Sequence, residues 1–397
     1  TNAPTEIGMT LREAVERFEN AVISVIHGRC RRRRDRILRA FLFVLSRLYA
    51  SLVQFRLWLY RHRIIRQRML GCLVISIGNI TVGGTGKTPV VERFSKTLSQ
   101  KGRKVAVLSR GYRSKGKPLL QKLRSLFFRS EEDTPPRVVS DGHRLLMDSR
   151  MAGDEPYMLA TNLPEAIMLV EKDRVKAGRY AIQQMGADTL ILDDGFQYLR
   201  LKPTVHIVLI DATAPFTNHH LLPRGLLREP IRNLKRANYV FLTKSSGDSQ
   251  LRHLKNFIHR HNPRADIIEC SHKPLYLENV YTQEKIDLDF LQNRKVAALS
   301  AIAAPESFKN GLIKLGADLV YAESFIDHHQ FRQQELIDFL NAAMAHGAEA
   351  VITTEKDAVR YPKLDRRDIP LYFLRVEIDI LSGHESFQEG ISRICFS

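Results

Sequence analysis

The chain has 397 residues, enough for two domains with cores of their own. Hydrophobic residues make up 44% of it and aromatic residues 8%, which excludes a disordered or fibrous protein. Its 61 basic residues against 43 acidic ones leave a formal charge of +18. Such a surface favours polyanions (nucleic acid, anionic lipid or phosphorylated substrates) without choosing among them. Cys30, Cys72, Cys270 and Cys395 are scattered, with neither a zinc spacing nor a disulfide framework, so a reducing compartment is expected. No signal peptide is evident in the first residues.

Residues 1–70 differ from the rest. Arg29, Arg31, Arg32, Arg33, Arg34, Arg36 and Arg39 form a dense basic cluster, followed by an apolar stretch over 40–60 and then Arg61, Arg63, Arg66 and Arg68. A spanning helix needs about 20 mostly apolar residues, and Arg47 and Arg56 interrupt this stretch. The pattern predicts a helix lying in the interfacial plane of an anionic bilayer. A core helix with a solvated basic face is the competing reading.

From about residue 72 the chain alternates strand, turn and helix, the mark of α/β architecture. Strands are predicted over 73–77, 104–108, 189–192, 206–210, 239–242, 296–299, 350–352 and 371–374, and helices over 156–161, 175–185 and 334–346. Residues 116–134 read as an exposed loop or lid, 245–249 as a second break, and no internal repeat is visible. The resulting division is a basic helical segment over 1–70, a P-loop domain over 71–235 completed by 375–397, and a second α/β domain over 236–374.

The strongest local signal is Val74-Ile-Ser-Ile-Gly-Asn-Ile-Thr-Val-Gly-Gly-Thr-Gly-Lys-Thr-Pro-Val-Val91, an apolar strand, a glycine-rich turn and a helical pattern. That context suits a nucleotide phosphate loop. The cradle runs from Thr81 and Val82 through Gly83, Gly84, Thr85 and Gly86 to Lys87 and Thr88. Its glycines let backbone N–H groups wrap phosphate, Lys87 reaches the β and γ phosphates, and the Thr88 hydroxyl joins a Mg²⁺ shell. ATP and Mg²⁺ are the cofactors this predicts. Thr81 stands where the general pattern places glycine.

Asp188-Thr-Leu-Ile-Leu-Asp-Asp-Gly-Phe-Gln197 is an apolar strand ending in two carboxylates. Asp193 or Asp194 fits the acid that supports Mg²⁺ at a neighbouring strand tip. In Gly153-Asp-Glu-Pro156, Asp154 and Glu155 precede a helix whose first turn tolerates proline. Transfer to a hydroxyl needs a carboxylate near the acceptor proton, which Asp154 or the Asp193–Asp194 pair must supply. His328 and His329 lie in Phe325-Ile-Asp-His-His-Gln-Phe331, without further ligands at metal spacing. Ser109-Arg-Gly-Tyr-Arg113 and Thr353-Thr-Glu-Lys-Asp357 each follow a strand, where open α/β sheets place ligand contacts. Arg110 and Arg113 could bind a substrate phosphate.

Together these segments resemble the tetraacyldisaccharide 4'-kinase family, the lipid A 4'-kinases of Gram-negative bacteria. The resemblance rests on Gly78-Asn-Ile-Thr-Val-Gly-Gly-Thr-Gly-Lys-Thr-Pro89, Leu108-Ser-Arg-Gly-Tyr112, Val139-Ser-Asp-Gly142, Gly153-Asp-Glu-Pro156 and Asp193-Asp-Gly-Phe-Gln197. Further on it includes Leu221-Leu-Pro223, Leu227-Arg-Glu-Pro230, Asp327-His328 and Thr354-Glu-Lys-Asp357. The Thr81 cradle is the family's own form.

The resemblance implies two α/β/α domains joined by a hinge, an amino-terminal membrane-associated helix, and transfer of the ATP γ-phosphate to the 4'-hydroxyl of a lipid A disaccharide precursor. It matches Asp154 to the base, His328 to its modulating partner, and Glu155 with Asp193 or Asp194 to the metal-linked acids. Asp194 is carried as catalytic, Thr88, Glu155 and Asp193 as metal-linked, and Arg110, Tyr112 and Arg113 as substrate-binding. Tyr198 replaces the family's usual His, and Arg224 and Leu226 alter the segment after Leu221. The expected setting is a monomer, peripheral on the cytoplasmic face of the inner membrane, with an anionic membrane surface and the lipid precursor as partners and no nucleic acid. A P-loop ATPase acting as a membrane-associated switch is the alternative.

Overall fold

The computed structural model describes residues 22, 24–26, 33–111, 134–245, 251–327, 329–364 and 368–396. His328, Tyr112, Arg113, the expected loop over 116–133 and the break over 246–249 lie outside them.

The strands are β1 (Leu73–Asn79), β2 (Val105–Ser109), β3 (Arg137–Asp141), β4 (Ile167–Val170), β5 (Thr189–Asp193), β6 (Val205–Asp211) and β7 (Tyr239–Thr243). They continue with β8 (Asp266–Asn279), β9 (Lys285–Ile286), β10 (Lys295–Ser300), β11 (Asp318–Ser324), β12 (Ala350–Thr354) and β13 (Leu371–Ser382). The helices are α1 (Arg33–Arg61), α2 (Lys87–Gln100), α3 (Ser149–Ala152), α4 (Asp154–Asn162) and α5 (Arg174–Met185). After them come α6 (Leu251–His261), α7 (Pro305–Lys314), α8 (Gln333–Ala345), α9 (Glu355–Ala358) and α10 (His384–Phe396).

All strands join one sheet in the order β11-β10-β12-β13-β8-β7-β6-β1-β5-β2-β4-β3, with β9 on β8. β1 lies parallel between β5 and β6, and it is buried at every position because helices cover both faces. Val74 packs with Leu190 and Ala181 on one face, while Ile75 packs with Val91 and Phe94 of α2 on the other. β10, β11, β12 and β13 form a second parallel group. The groups meet through β13 and β8, which pair antiparallel with register shifts at Arg375/Val376 and Ile380/Ser382.

Two sets of cores follow from that join. Ile268 and Cys270 of β8, with Ile378 and Ile380 of β13, lie in the first lobe's core; Leu277, Tyr372 and Leu374 lie in the second. The change of domain expected at residue 236 falls ahead of β7, whose Tyr239 and Phe241 are in the first core. Packing therefore places β7, α6 and the start of β8 with the first lobe, because each pairs or packs onto β6 or β7. The change of core occurs inside β8. This also explains why β8 escapes sequence reading: its halves serve different cores, so no single alternation runs along it. β4 is a short apolar run of four residues, and β11 is half-buried at the sheet edge.

α1 has no glycine or proline, carries Asp35 in its first turn and Arg61 in its last, and runs unbroken for 29 residues. By length and composition it could cross a membrane. One face is docked on the first lobe: Leu42 and Ser46 are buried, the Ser46 hydroxyl donates to the Leu221 carbonyl at 3.0 Å, Tyr49 to that of Arg228 at 3.0 Å, and Gln54 to the Asn233 side chain at 3.1 Å. The opposite side presents Ile37, Phe41, Val44, Leu48, Leu52 and Phe55, spaced at helical intervals and all exposed.

The lobes are also joined by charge. Arg375, buried beside the β13 register shift, bonds both Glu355 oxygens at 2.9 and 2.7 Å and also pairs with Glu92 of α2. Glu92 is itself buried. Replacing Arg375 by methionine leaves two carboxylates without their common cation, a change that costs about 3–5 kcal/mol in buried pairs. We expect urea unfolding of Arg375→Met to show a loss in that range. A loss below about 1 kcal/mol would mean the junction does not depend on this cation.

Candidate active site

The carboxyl ends of the parallel strands in both lobes converge on one open cleft, lined by Val82–Thr88, Arg110, Asp154, Glu155, Asp193, Asp194, Asp211, Lys244, Asp327 and Glu355 among others. Open α/β sheets place ligands there because the strand ends release loops and helix amino termini toward the same side.

β1 delivers the glycine-rich loop. Its last residue, Asn79, donates to the Thr85 hydroxyl at 2.9 Å, and the Thr243 hydroxyl donates to the Thr85 carbonyl at 2.9 Å. Lys244 Nζ donates to the Gly84 carbonyl at 3.0 Å and pairs with Asp211 at 2.5 Å. These contacts fix the loop's carbonyls on the side of β6 and β7. Gly86 caps α2 in the left-handed region, φ 72°, and a Cβ there would come within 2.8 Å of His272 Nε2. The left-handed backbone favours glycine there, and any side chain would also have to displace the His272 ring. Val82–Thr88 line the cleft. Thr81, at the start of the loop, forms an antiparallel bridge with Leu227.

β5 delivers the two aspartates, and they differ. Asp194, at φ 53°, accepts from Lys87 Nζ at 2.9 Å and from Arg228 Nη1 at 3.0 and 2.8 Å. Burial alone would raise its pKa, but the Lys87 and Arg228 cations outweigh it and bring the carboxyl to about 2. Asp193 is buried, accepts from the Ser109 hydroxyl at 3.1 Å, and is pushed up to about 6, first by burial and then by the Glu155 carboxylate. Arg174 sits behind it and donates to the Asp193 carbonyl at 3.3 Å.

α4 delivers the third pair. Asp148 caps α3, and Gly153, at φ 91°, turns the chain into α4 so that Asp154 and Glu155 occupy its first turn. Both acids meet cations of the second lobe: Asp154 pairs with Arg360 Nε at 2.7 Å and Glu155 with Lys356 at 2.9 Å. Lys356 also lies 3.6 Å from Asp327. Sequence reasoning assigned no role to Arg228, Lys244, Arg360 or Arg375. Arg228 was visible inside Leu227-Arg-Glu-Pro230, and Arg360 lies one helical turn past Asp357. Lys244 and Arg375 carry no local signal.

A sequence model of the family described as tetraacyldisaccharide-1-P 4'-kinase matches residues 38–395. The chain belongs to the tetraacyldisaccharide 4'-kinase family. It is 36% identical over 381 residues to the tetraacyldisaccharide 4'-kinase of Halothermothrix orenii, covering 92% of this chain and 95% of that one. It is 37% identical to the Syntrophus aciditrophicus enzyme, covering 89% of this chain and 95% of the other. The crystal structure of LpxK from Aquifex aeolicus in complex with ATP superposes with a TM-score of 0.69 at 28% identity, over 90% of this chain and 99% of that one. The protein is thus a kinase of lipid A biosynthesis that transfers the ATP γ-phosphate to the 4'-hydroxyl of a disaccharide 1-phosphate precursor. Family membership displaces the ATPase-switch alternative.

The elevated Asp193 pKa sets a pH dependence on the kinase's stability. The folded value of about 6 lies above the ordinary 3.8, so the contribution is fully present below pH 3.8 and is lost as pH rises through 6. At about 1.4 kcal/mol per unit, the loss approaches roughly 3 kcal/mol. Asp193→Asn removes it. Without magnesium or nucleotide, urea unfolding should find the variant more stable by roughly 3 kcal/mol at pH 7.5 and by about 1 kcal/mol near pH 4.5. A gap independent of pH would mean Asp193 titrates normally.

Proposed function

We propose that the kinase binds Mg²⁺–ATP at Val82–Thr88, uses Asp154 as the base for the acceptor hydroxyl, and works peripherally on a membrane through α1. The observation that carries this reading is the meeting, in one cleft, of the glycine-rich loop, the Lys87–Asp194–Arg228 cluster and the Asp154–Glu155 pair.

The donor set fits magnesium, which takes oxygen ligands and is usually held by one or two carboxylates together with substrate phosphates. Asp193 and Glu155 both line the cleft, and the Glu155 charge adds to the burial that raises the Asp193 pKa, a repulsion that a cation relieves. Thr88, Asp193 and Glu155 are the residues that would hold it. The ion supplies charge neutralisation on the triphosphate.

The loop's N–H groups and Lys87 cradle the phosphates, and Arg228 steadies Asp194 beside Lys87. Asp154 accepts the 4'-hydroxyl proton as that oxygen bonds to the γ-phosphorus and the bond to ADP breaks. Arg110, at the cleft wall, offers charge to the substrate's own phosphate.

Lys87→Ala should lower kcat by about a hundredfold or more while the fold survives, because charge neutralisation on the phosphates is lost. Asp154→Asn should lower kcat with ATP affinity held within a few-fold. Radiolabel transfer to a lipid A precursor and calorimetric titration with ATP separate the two effects. Near-normal turnover in folded Lys87→Ala would sink the loop assignment, and lost ATP affinity with full rate at saturation would make Asp154 a binding residue.

Peripheral attachment is supported by where α1 is tied. Ser46, Tyr49 and Gln54 bond the first lobe from the middle of the helix, so a crossing helix would drag that lobe into hydrocarbon, where its polar groups lose water. Lying in the interface, the exposed stripe enters the acyl region while the flanking arginines meet headgroups. Leu48 and Leu52 are more than half exposed. Changing both to serine should weaken co-sedimentation with anionic liposomes by about tenfold or more. The same change should raise KM for a long-chain acceptor and leave ATP binding alone. Unchanged sedimentation would overturn the membrane reading of this face.

A further inference from the structure

Thr354-Glu-Lys-Asp357 stands out in the sequence, and the catalytic reading above gives it no task. In the structure each of its charged residues serves the cleft. Glu355 pairs with Arg375, Lys356 with Glu155, and Asp357 with Arg360 at 2.9 Å. Arg360 in turn holds Asp154 at 2.7 Å.

The Arg360 guanidinium is fully buried, and its setting is rigid. Asp357, also fully buried, accepts from the Ala301 backbone N–H at 2.9 Å, from the Thr354 hydroxyl at 2.6 Å and from Arg360 Nη1 at 2.9 Å. Ala301 follows β10, and Thr354 ends β12 and caps α9. The cation is thus anchored to the ends of two adjacent strands of the second lobe, while Asp154 opens α4 in the first. A buried ion pair of this kind is a weak device for stability, since desolvation consumes most of its attraction. A planar fork gripping one fixed and one cleft-lining carboxylate is, however, a precise device for direction.

We propose that Arg360 is the positioning residue for Asp154: anchored by Asp357, it holds the Asp154 carboxylate at the angle that receives the acceptor proton, so the base is aimed only when the second lobe is in place. This rests on the reading of Asp154 as the base. Lysine at 360 keeps the charge and loses the fork; methionine loses both.

The test is a double-mutant cycle on the full chain, with kcat, KM for ATP and calorimetric ATP affinity measured for Arg360→Lys, Arg360→Met, Asp154→Asn and the combinations. Arg360→Lys should lower kcat by about tenfold and Arg360→Met by about a hundredfold, the scale of a small misplacement of a reacting group. ATP affinity should stay within about twofold. In the Asp154→Asn background either change should cost less than about twofold, because residues acting through one group are not additive. A merely structural arginine would cost the same in both backgrounds, and that result overturns the proposal. Should Arg360→Met not fold, Arg360→Lys carries the cycle, with cooperative melting as its control. Full kcat in Asp154→Asn alone overturns the base reading and this proposal with it. Loss in Asp154→Asn with none in Arg360→Lys overturns the proposal alone.

Discussion

Carboxylates crowd the cleft, and the fold is arranged around keeping them apart or paired. Asp154 and Glu155 come from the turn between α3 and α4, Asp193 and Asp194 from the end of β5, and Asp327 and Glu355 reach in from the second lobe. Like charges at such separations repel, and burial adds to the penalty. Lys87 and Arg228 hold Asp194, Lys356 holds Glu155, and Arg360 holds Asp154. Asp193 has a hydroxyl partner, and its pKa of about 6 reflects burial first and the Glu155 carboxylate second. A site that must gather a polyanionic nucleotide needs this balance of charges already assembled, because preorganised charge costs no rearrangement during reaction.

The sheet explains why the cations come from both lobes. β8 and β13 run through both cores and pair antiparallel between two parallel groups, so the carboxyl ends of both groups can face one cleft. Arg375 sits beside the register shift in this junction and ties α2, which starts at the glycine-rich loop, to α9. The loop, the acids and the second lobe's cations are therefore mechanically linked through a few buried charges.

α1 adds an exposed apolar face beside the cleft. One face is occupied by the first lobe and the opposite face is apolar and exposed, with Tyr49 and Arg56 bordering the cleft. An acceptor with acyl chains has its sugar head and its tails in different solvents, and on the proposed interfacial reading of α1 these two environments lie side by side.

The sequence by itself determined the local chemistry. Glycines that must turn, a lysine and threonine after them, and acids at the ends of apolar strands are properties of short segments, because phosphate loops and strand tips are built from contiguous residues. The eight expected strands appear for the same reason: fully buried parallel strands read as apolar runs. What only the tertiary structure decided is pairing over distance. Arg360 and Asp154 are 206 positions apart, and Arg375 and Glu92 are 283 apart; no periodicity reports such contacts. Asp193 and Asp194 are neighbours with opposite pKa shifts: burial, aided by Glu155, raises the first, while Lys87 and Arg228 outweigh burial at the second. The change of core inside β8 was equally illegible, since a strand shared by two cores shows the pattern of neither.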